Sequence, residues 1–111
     1  AAVAEAYDVA VAPHCPLGPI ALASCFTIDA CCHNAVIQEQ SLGMQFTEGM
    51  SLTGYLKNPE IFEYENGYMN IPATPGLGIL IDEEKVREMD AIGYHWKNAQ
   101  WRNEDGSVAE W

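Results

Sequence analysis

The 111 residues are enough for at most one ordinary domain, and 49% hydrophobic content can supply a core if the elements close around it. Five basic against sixteen acidic residues leave a net charge of −11, which repels phosphate backbones and anionic membrane surfaces and excludes nucleic acid as a natural partner. No apolar stretch approaches the roughly 20 uninterrupted residues of a membrane-spanning helix, so no membrane partner is expected.

Ala1 to Tyr7 (AAVAEAY) reads as the tail of a helix with no capping residue ahead of it, and the chain is expected to be cut from something longer. Asp8 breaks that pattern. Val9 to Ala12 (VAVA) is a short apolar run suited to a parallel strand buried on both faces. His14 follows just past its end, in a turn ruled by Pro13, Pro16 and Pro19. Each proline fixes its own φ and biases the residue before it towards extended backbone, so His14 is held in a turn with few conformations to lose.

Gly18 and Pro19 suit the N-cap and first position of a helix that should run to Cys32. Only Ser24, Thr27 and Asp29 are polar within it, and a helix apolar around most of its circumference needs neighbours on several sides. His33 and Asn34 end it. Ala35 to Ile37 then makes a second buried strand that finishes in Gln38, Glu39 and Gln40. Strand, helix, strand implies a parallel pair with a right-handed crossover, roughly 4.8 Å apart if adjacent. His14 and Glu39 should therefore emerge side by side at the end of the sheet where α/β sheets and barrels place their active sites.

From Ser41 onward the character changes. Only four acids precede Ser41, and the other twelve, with all five bases, lie after it, which marks the first part as the buried one. A loop-rich stretch carries at most a helical turn near Leu52 to Leu56. Ile61 to Tyr64 and Tyr68 to Ile71 flank Glu65-Asn66-Gly67, a hairpin signal, because Asn-Gly supplies the positive φ that tight hairpins require. Pro72 to Gly78 is a rigid connector. Asp82 caps a helix to about Ala91, with Glu83 able to pair with Arg87 and with Gly93 as its stop. The tail from Tyr94 carries Trp96, Trp101 and Trp111 without a regular period, a pattern suited to docking on another subunit.

A histidine at a strand end is more often a hydrogen-bonded structural residue than a catalyst. Here the rigid proline frame, the strand-end position and a carboxylate on the neighbouring strand add weight to catalysis, and on the residues alone the structural reading still leads. Glu39 has a plainer reading as a solvated strand terminus, and its two glutamine neighbours could instead orient it. Cys15, Cys25, Cys31 and Cys32 lie in apolar segments, with no export signal, which suits reduced thiols and a cytoplasmic location. With His14 and His33 they offer donors for a small thiol-metal protein, although paired C-x2-C knuckles are missing.

With PHCPLGPIALA, DACCHNAVIQEQSLG, NPEIFEYENGYMNIPATPGLGI and WRNEDGSVAEW laid out, the chain resembles the C-terminal end of the galactonate dehydratases, a family in the mandelate racemase branch of the enolase superfamily. The resemblance implies an α/β fold class. Residues 1–41 would be the end of a (β/α)7β modified TIM barrel, with Val9 to Ala12 and Ala35 to Ile37 as its seventh and eighth strands. Residues 42–111 would return to complete a capping domain. The implied chemistry is magnesium-dependent dehydration of a sugar acid to its 2-keto-3-deoxy product, with His14 as the base and Glu39 as the group that hydrogen-bonds the developing enediolate. To donate, Glu39 must be protonated, which calls for burial.

The family's magnesium ligands, acid histidine and orienting aspartate belong to earlier strands, so the resemblance implies an isolated chain that binds no catalytic magnesium and is inactive. Two further readings follow from the residues. One is a binding module that forms homo-oligomers through open strand edges or the tryptophan tail. The other is the thiol-metal protein.

Overall fold

The computed structural model describes residues 1–43, 51–93 and 101–109. Helix α1 (Ala2–Glu5) has no side-chain cap, as expected, and stops where Asp8 adopts a left-handed φ of 55°, a conformation aspartate tolerates better than most residues. The backbone that follows does not become a full strand. Val11 and Ala35 form a single parallel bridge, closed by Val11 N–H to Asn34 C=O (2.8 Å) and Val36 N–H to Val11 C=O (3.1 Å). Proline at 13 has no N–H to extend the ladder. Side-chain amides replace it: Asn34 Nδ2 donates to Val9 C=O (2.9 Å) and Gln38 Nε2 to Pro13 C=O (2.9 Å).

The expectation of strands buried on both faces is corrected. Val9, Val36 and Ile37 are exposed, because among the described residues nothing packs over them on the side away from the core. The register and parallel direction are nonetheless those of a strand, helix, strand unit.

Helix α2 (Pro19–Cys31) connects the bridged segments. Gly18, in extended conformation, is its N-cap, proline occupies its first position, and Cys32 leaves it in extended backbone. Vicinal Cys31 and Cys32 therefore straddle the helix end and do not both lie inside it. Pro19, Leu22, Ala23 and Phe26 are buried at i, i+3, i+4 and i+7, one stripe of the helix. Ile20 and Ile28 stay exposed, so only one of the several sides offered by this apolar helix is covered.

The core joins both halves of the chain. Cys15, Leu22, Ala23 and Phe26 pack with Leu56 and Phe62, flanked by Tyr55, Ile61, Met69 and Ile79. Phe26 and Phe62 meet with ring centroids 5.9 Å apart and planes tilted by 41°. The first 41 residues are thus not a separately buried unit; they share their core with the acidic second part.

Phe62 reaches that core from a 3-10 turn, Pro59–Phe62, where the sequence suggested the start of a hairpin strand. Asn58-Pro59 starts the turn, since proline suits a first helical position. The hairpin is correspondingly shorter: β1 (Tyr64–Glu65) pairs antiparallel with β2 (Tyr68–Met69), Tyr64 opposite Met69 and Glu65 opposite Tyr68. Asn66 (φ 52°) and Gly67 (φ 82°) form the two-residue turn with both central residues at positive φ.

The ends of this excursion are brought together by an antiparallel bridge between Leu56 and Ile81, with Lys57 N–H to Leu80 C=O and Asp82 N–H to Tyr55 C=O both at 2.8 Å. Asn58 acts there as an extra length of backbone: its Nδ2 donates to Gly78 C=O (2.9 Å) and its Oδ1 accepts from Leu80 N–H (2.7 Å). Helix α3 (Glu83–Ile92) begins as expected, with Asp82 Oδ1 accepting from Lys85 N–H (3.2 Å), and ends at Gly93 with φ 66°. Arg87 pairs with Glu83 on its exposed face.

The described part of the tail has more order than its sequence suggested. Arg102 and Val108 form an antiparallel bridge around a turn in which Asp105 accepts from Ser107 N–H (2.9 Å) and Ser107 Oγ–H (2.6 Å). Trp101 is exposed, while Trp96 and Trp111 lie outside the described residues.

Candidate active site

The parallel bridge sets the site. Two segments held side by side at Val11 and Ala35 run in the same direction, so the residues that follow each of them leave at the same end. Gln38 strengthens this coupling, since its amide ties the second segment to the carbonyl of Pro13, next to His14. His14 and Glu39 consequently meet: Nδ1 of the imidazole hydrogen-bonds Oε2 of the carboxyl group. Expectation and structure agree on this convergence, and the structure adds a direct contact.

That contact has a chemical consequence. An ionised carboxylate can only accept a hydrogen bond, so with Glu39 ionised Nδ1 carries the proton, and in the neutral ring Nε2 then keeps its lone pair. An imidazole in this tautomer can take a proton at Nε2 while the carboxylate stabilises the resulting cation. The His14 side chain is 77% exposed and that of Glu39 48%, so Nε2 is within reach of a small molecule. The same exposure means the described residues do not bury Glu39 as hydrogen-bond donation to an enediolate calls for.

The flanking glutamines do not orient the Glu39 carboxyl. Gln38 bonds to the carbonyls of Pro13 and Glu39, and Gln40 Oε1 accepts from Leu42 N–H (2.7 Å). Gln38 acts on the site through the backbone, a role for which the sequence offers one signal, a long amide directly after an apolar strand.

Directly behind His14, Cys15 is buried in the core. Cys25 of α2 is half-buried and packs against the same core cluster. Burial raises the Cys25 thiol above its ordinary value, and the neighbouring Cys15 and Asp29 add to the rise. Burial likewise raises Asp29. Among the described residues no three His, Cys, Asp or Glu side chains gather as metal donors. Magnesium asks for several hard oxygen ligands in octahedral array, and the described strand ends offer the one carboxyl of Glu39, already engaged by His14. These residues do not by themselves fit that ion.

Comparison with known proteins adds to this geometry. Residues 1–85 match the family model described as enolase C-terminal domain-like. The chain belongs to that family. Over all 111 residues this enolase-like chain is 53% identical to the D-galactonate dehydratase of Ralstonia pickettii (strain 12J) and equally to that of Ralstonia nicotianae (strain ATCC BAA-1114 / GMI1000). It spans 29% of the length of each. Membership carries an α/β fold related to the TIM barrel, of which the described residues form a small α/β part with a two-stranded sheet. No helix among the described residues is long and apolar enough to cross a membrane.

Proposed function

We propose that this enolase-like chain is part of a magnesium-dependent acid-sugar dehydratase that converts galactonate to 2-keto-3-deoxygalactonate and water, and that it carries the base of that reaction. The observation that supports this most is the His14–Glu39 pair at the common end of the Val11–Ala35 bridge, with Nε2 of His14 left open. His14 takes the proton from the carbon beside the substrate carboxylate, through Nε2. The electron pair released moves toward that carboxylate, and loss of the 3-hydroxyl as water leaves an enol that becomes the 2-keto product. Glu39 holds the imidazole in the tautomer that can accept the proton; as the base becomes cationic, the pair gains an ionic hydrogen bond.

A histidine alone cannot remove so weakly acidic a proton at a useful rate, and the charge that develops on the substrate has to be met by fixed positive charge and hydrogen bonds. In this reading those groups, the magnesium included, belong to the remaining length of the enzyme, of which this chain spans 29% in its relatives. Val9 to Ala12 and Ala35 to Ile37 would be the last two barrel strands, and residues 42–111 the segment that returns to the cap. Exposure of Val36 and Ile37 is what that arrangement requires, because neighbouring barrel elements would cover them. The isolated chain is then inactive. The free thiols suit a reducing cytoplasm.

The decisive experiment exchanges this chain for the matching segment of the Ralstonia pickettii enzyme and assays keto-acid formation from galactonate. The hybrid is expected to turn over, and His14→Asn in it to lose at least about a hundredfold, the lower end of what a general base supplies. Full activity in the His14→Asn hybrid removes the histidine from the reaction. The exposed apolar residues Val9, Leu17, Val36 and Ile37, with Trp101, also favour a second reading, a self-associating module. A stable homo-oligomer of the isolated chain by sedimentation supports it; a monodisperse monomer rejects it.

A further inference from the structure

Asn66 and Gly67 form the hairpin tip, and the proposed chemistry uses neither. Both are exposed, both have positive φ (52° and 82°), and a Cβ built at Gly67 meets nothing within 4 Å. The ladder ends below them at the Glu65–Tyr68 pair, and among the described residues no hydrogen bond holds the Asn66 side chain. The other described asparagines are placed differently. Asn34 Nδ2 donates to Val9 C=O, and Asn103 Nδ2 donates to Ser107 Oγ (3.0 Å). Asn58 is held by Gly78 and Leu80 and precedes a proline, which has no N–H. Asn70 is exposed but precedes the β-branched Ile71. Asp105-Gly106 is an acidic counterpart of the tip, yet Asp105 is engaged by Ser107, and Gly106 N–H donates to Asn103 C=O (2.9 Å).

We propose that Asn66 is a spontaneous modification site, where the side-chain amide is lost as ammonia through a cyclic imide with Gly67 and water opens the ring to aspartate and isoaspartate. The Gly67 nitrogen, having given its proton to solvent base, bonds to Asn66 Cγ. The bond from Cγ to Nδ2 breaks, and ammonia leaves with a proton taken back from solvent. Water then adds to either ring carbonyl. Opening at Cγ restores the ordinary main chain with an aspartate side chain; opening at the main-chain carbonyl carbon routes the chain through Cβ and Cγ and frees the other carboxylate. One water is consumed, one ammonia is released, and nothing is oxidised or reduced.

Local structure decides why this asparagine reacts. Glycine has no side chain to shield its nitrogen and the freest backbone to bring it round. With two residues in each strand the hairpin is marginal by itself, so its tip opens at low cost and lets Gly67 reach Cγ. The two products differ in consequence. Aspartate tolerates a left-handed φ, so it keeps the turn and adds a negative charge next to Glu65. Isoaspartate lengthens the main chain within the turn and disrupts the register of Glu65 with Tyr68.

The test reads the covalent product and is independent of any catalytic role for His14. The 111-residue chain is incubated in warm, mildly alkaline buffer, sampled over time and digested with chymotrypsin. Cleavage after Tyr64 and Tyr68 isolates the peptide ENGY from every other asparagine. Synthetic peptides with asparagine, aspartate or isoaspartate at that position serve as chromatographic standards for mass spectrometry. The expected result is loss of the asparagine form to both acidic products, isoaspartate the larger, while Asn34, Asn58, Asn70 and Asn103 keep their amides. Gly67→Ala, whose methyl group shields the attacking nitrogen, is expected to retain the Asn66 amide over the same period. Conversion first at another of these asparagines, an unchanged rate in Gly67→Ala, or aspartate as the sole product overturns the proposal.

Discussion

Replacing Phe26 and Phe62 by leucine, singly and together, tests whether their ring contact is what joins the two parts of the chain. Phe26 is 6% exposed and Phe62 5%, so each substitution removes buried atoms from a cluster of only a few side chains. Alanine is too severe here: losing about 3–5 kcal/mol from a small core approaches the whole stability of such a domain. Leucine keeps most of the volume, and each single change is expected to cost about 1–2 kcal/mol. The centroid separation of 5.9 Å lies in the range where aromatic pairs contribute about 0.5–1.5 kcal/mol beyond area burial. The double variant should therefore be more stable than the sum of single losses implies, by about 1 kcal/mol. Urea unfolding followed by far-ultraviolet circular dichroism, under reducing conditions, measures all four proteins. With a slope of about 1–2 kcal/mol/M, each single change lowers the midpoint by about 1 M. Additivity within about 0.3 kcal/mol refutes the argument, since it would mean that helix α2 and the turn Pro59–Phe62 do not sense each other through these rings.

Two other perturbations follow from groups already described. Asp29 has a buried Oδ1 with no hydrogen-bond partner, and burial raises its carboxyl above the ordinary 3.8. The fold thus favours its protonated form: its contribution is best below the unfolded-state value and is lost as pH rises through the raised folded-state value. Asp29→Asn should raise the melting temperature at pH 7 and lose that advantage near pH 3.5; an equal difference at both pH values rejects the reasoning. Gly76 and Gly78 share a φ of 74°, but a Cβ at Gly76 meets nothing within 4 Å whereas one at Gly78 lies 2.6 Å from Pro72 Cβ. Gly76→Ala should cost about 1 kcal/mol from backbone strain alone, and Gly78→Ala a further 1–3 kcal/mol, roughly, from overpacking. Equal losses by denaturant titration show that the connector yields.

What could be read from the sequence was local or topological. The Asn66-Gly67 turn, the Gly18-Pro19 entry to α2 and the Asp82 and Gly93 limits of α3 all rest on the φ or hydrogen-bonding demands of one or two residues. The meeting of His14 and Glu39 follows from the parallel direction of two segments joined by a helical crossover and needs no knowledge of side-chain packing. What escaped depends on partners distant in sequence. Apolar composition marks Val36 and Ile37 as strand residues, yet their burial depends on neighbours that the described residues do not provide. Ile61 and Phe62 have strand-like side chains, but Asn58-Pro59 and the pull of Phe26 turn them into a 3-10 segment. The bridge between Arg102 and Val108 has only a local signal in the sequence, the turn formers Asn103, Asp105, Gly106 and Ser107, with no apolar alternation on either side to mark strands.

The clamp made by Asn58 has a consequence for how this chain can vary. With one amide bonding both Gly78 and Leu80, the segment between residues 59 and 79 leaves and returns at nearly the same place. Its ends are joined whatever happens at its tip. Extra residues inserted between Asn66 and Gly67 therefore lengthen a loop that is already closed, at an entropic cost of about 0.6 kcal/mol for each doubling. The hairpin tip is an insertion point where this protein can gain length without moving Phe62 from the core or His14 from Glu39.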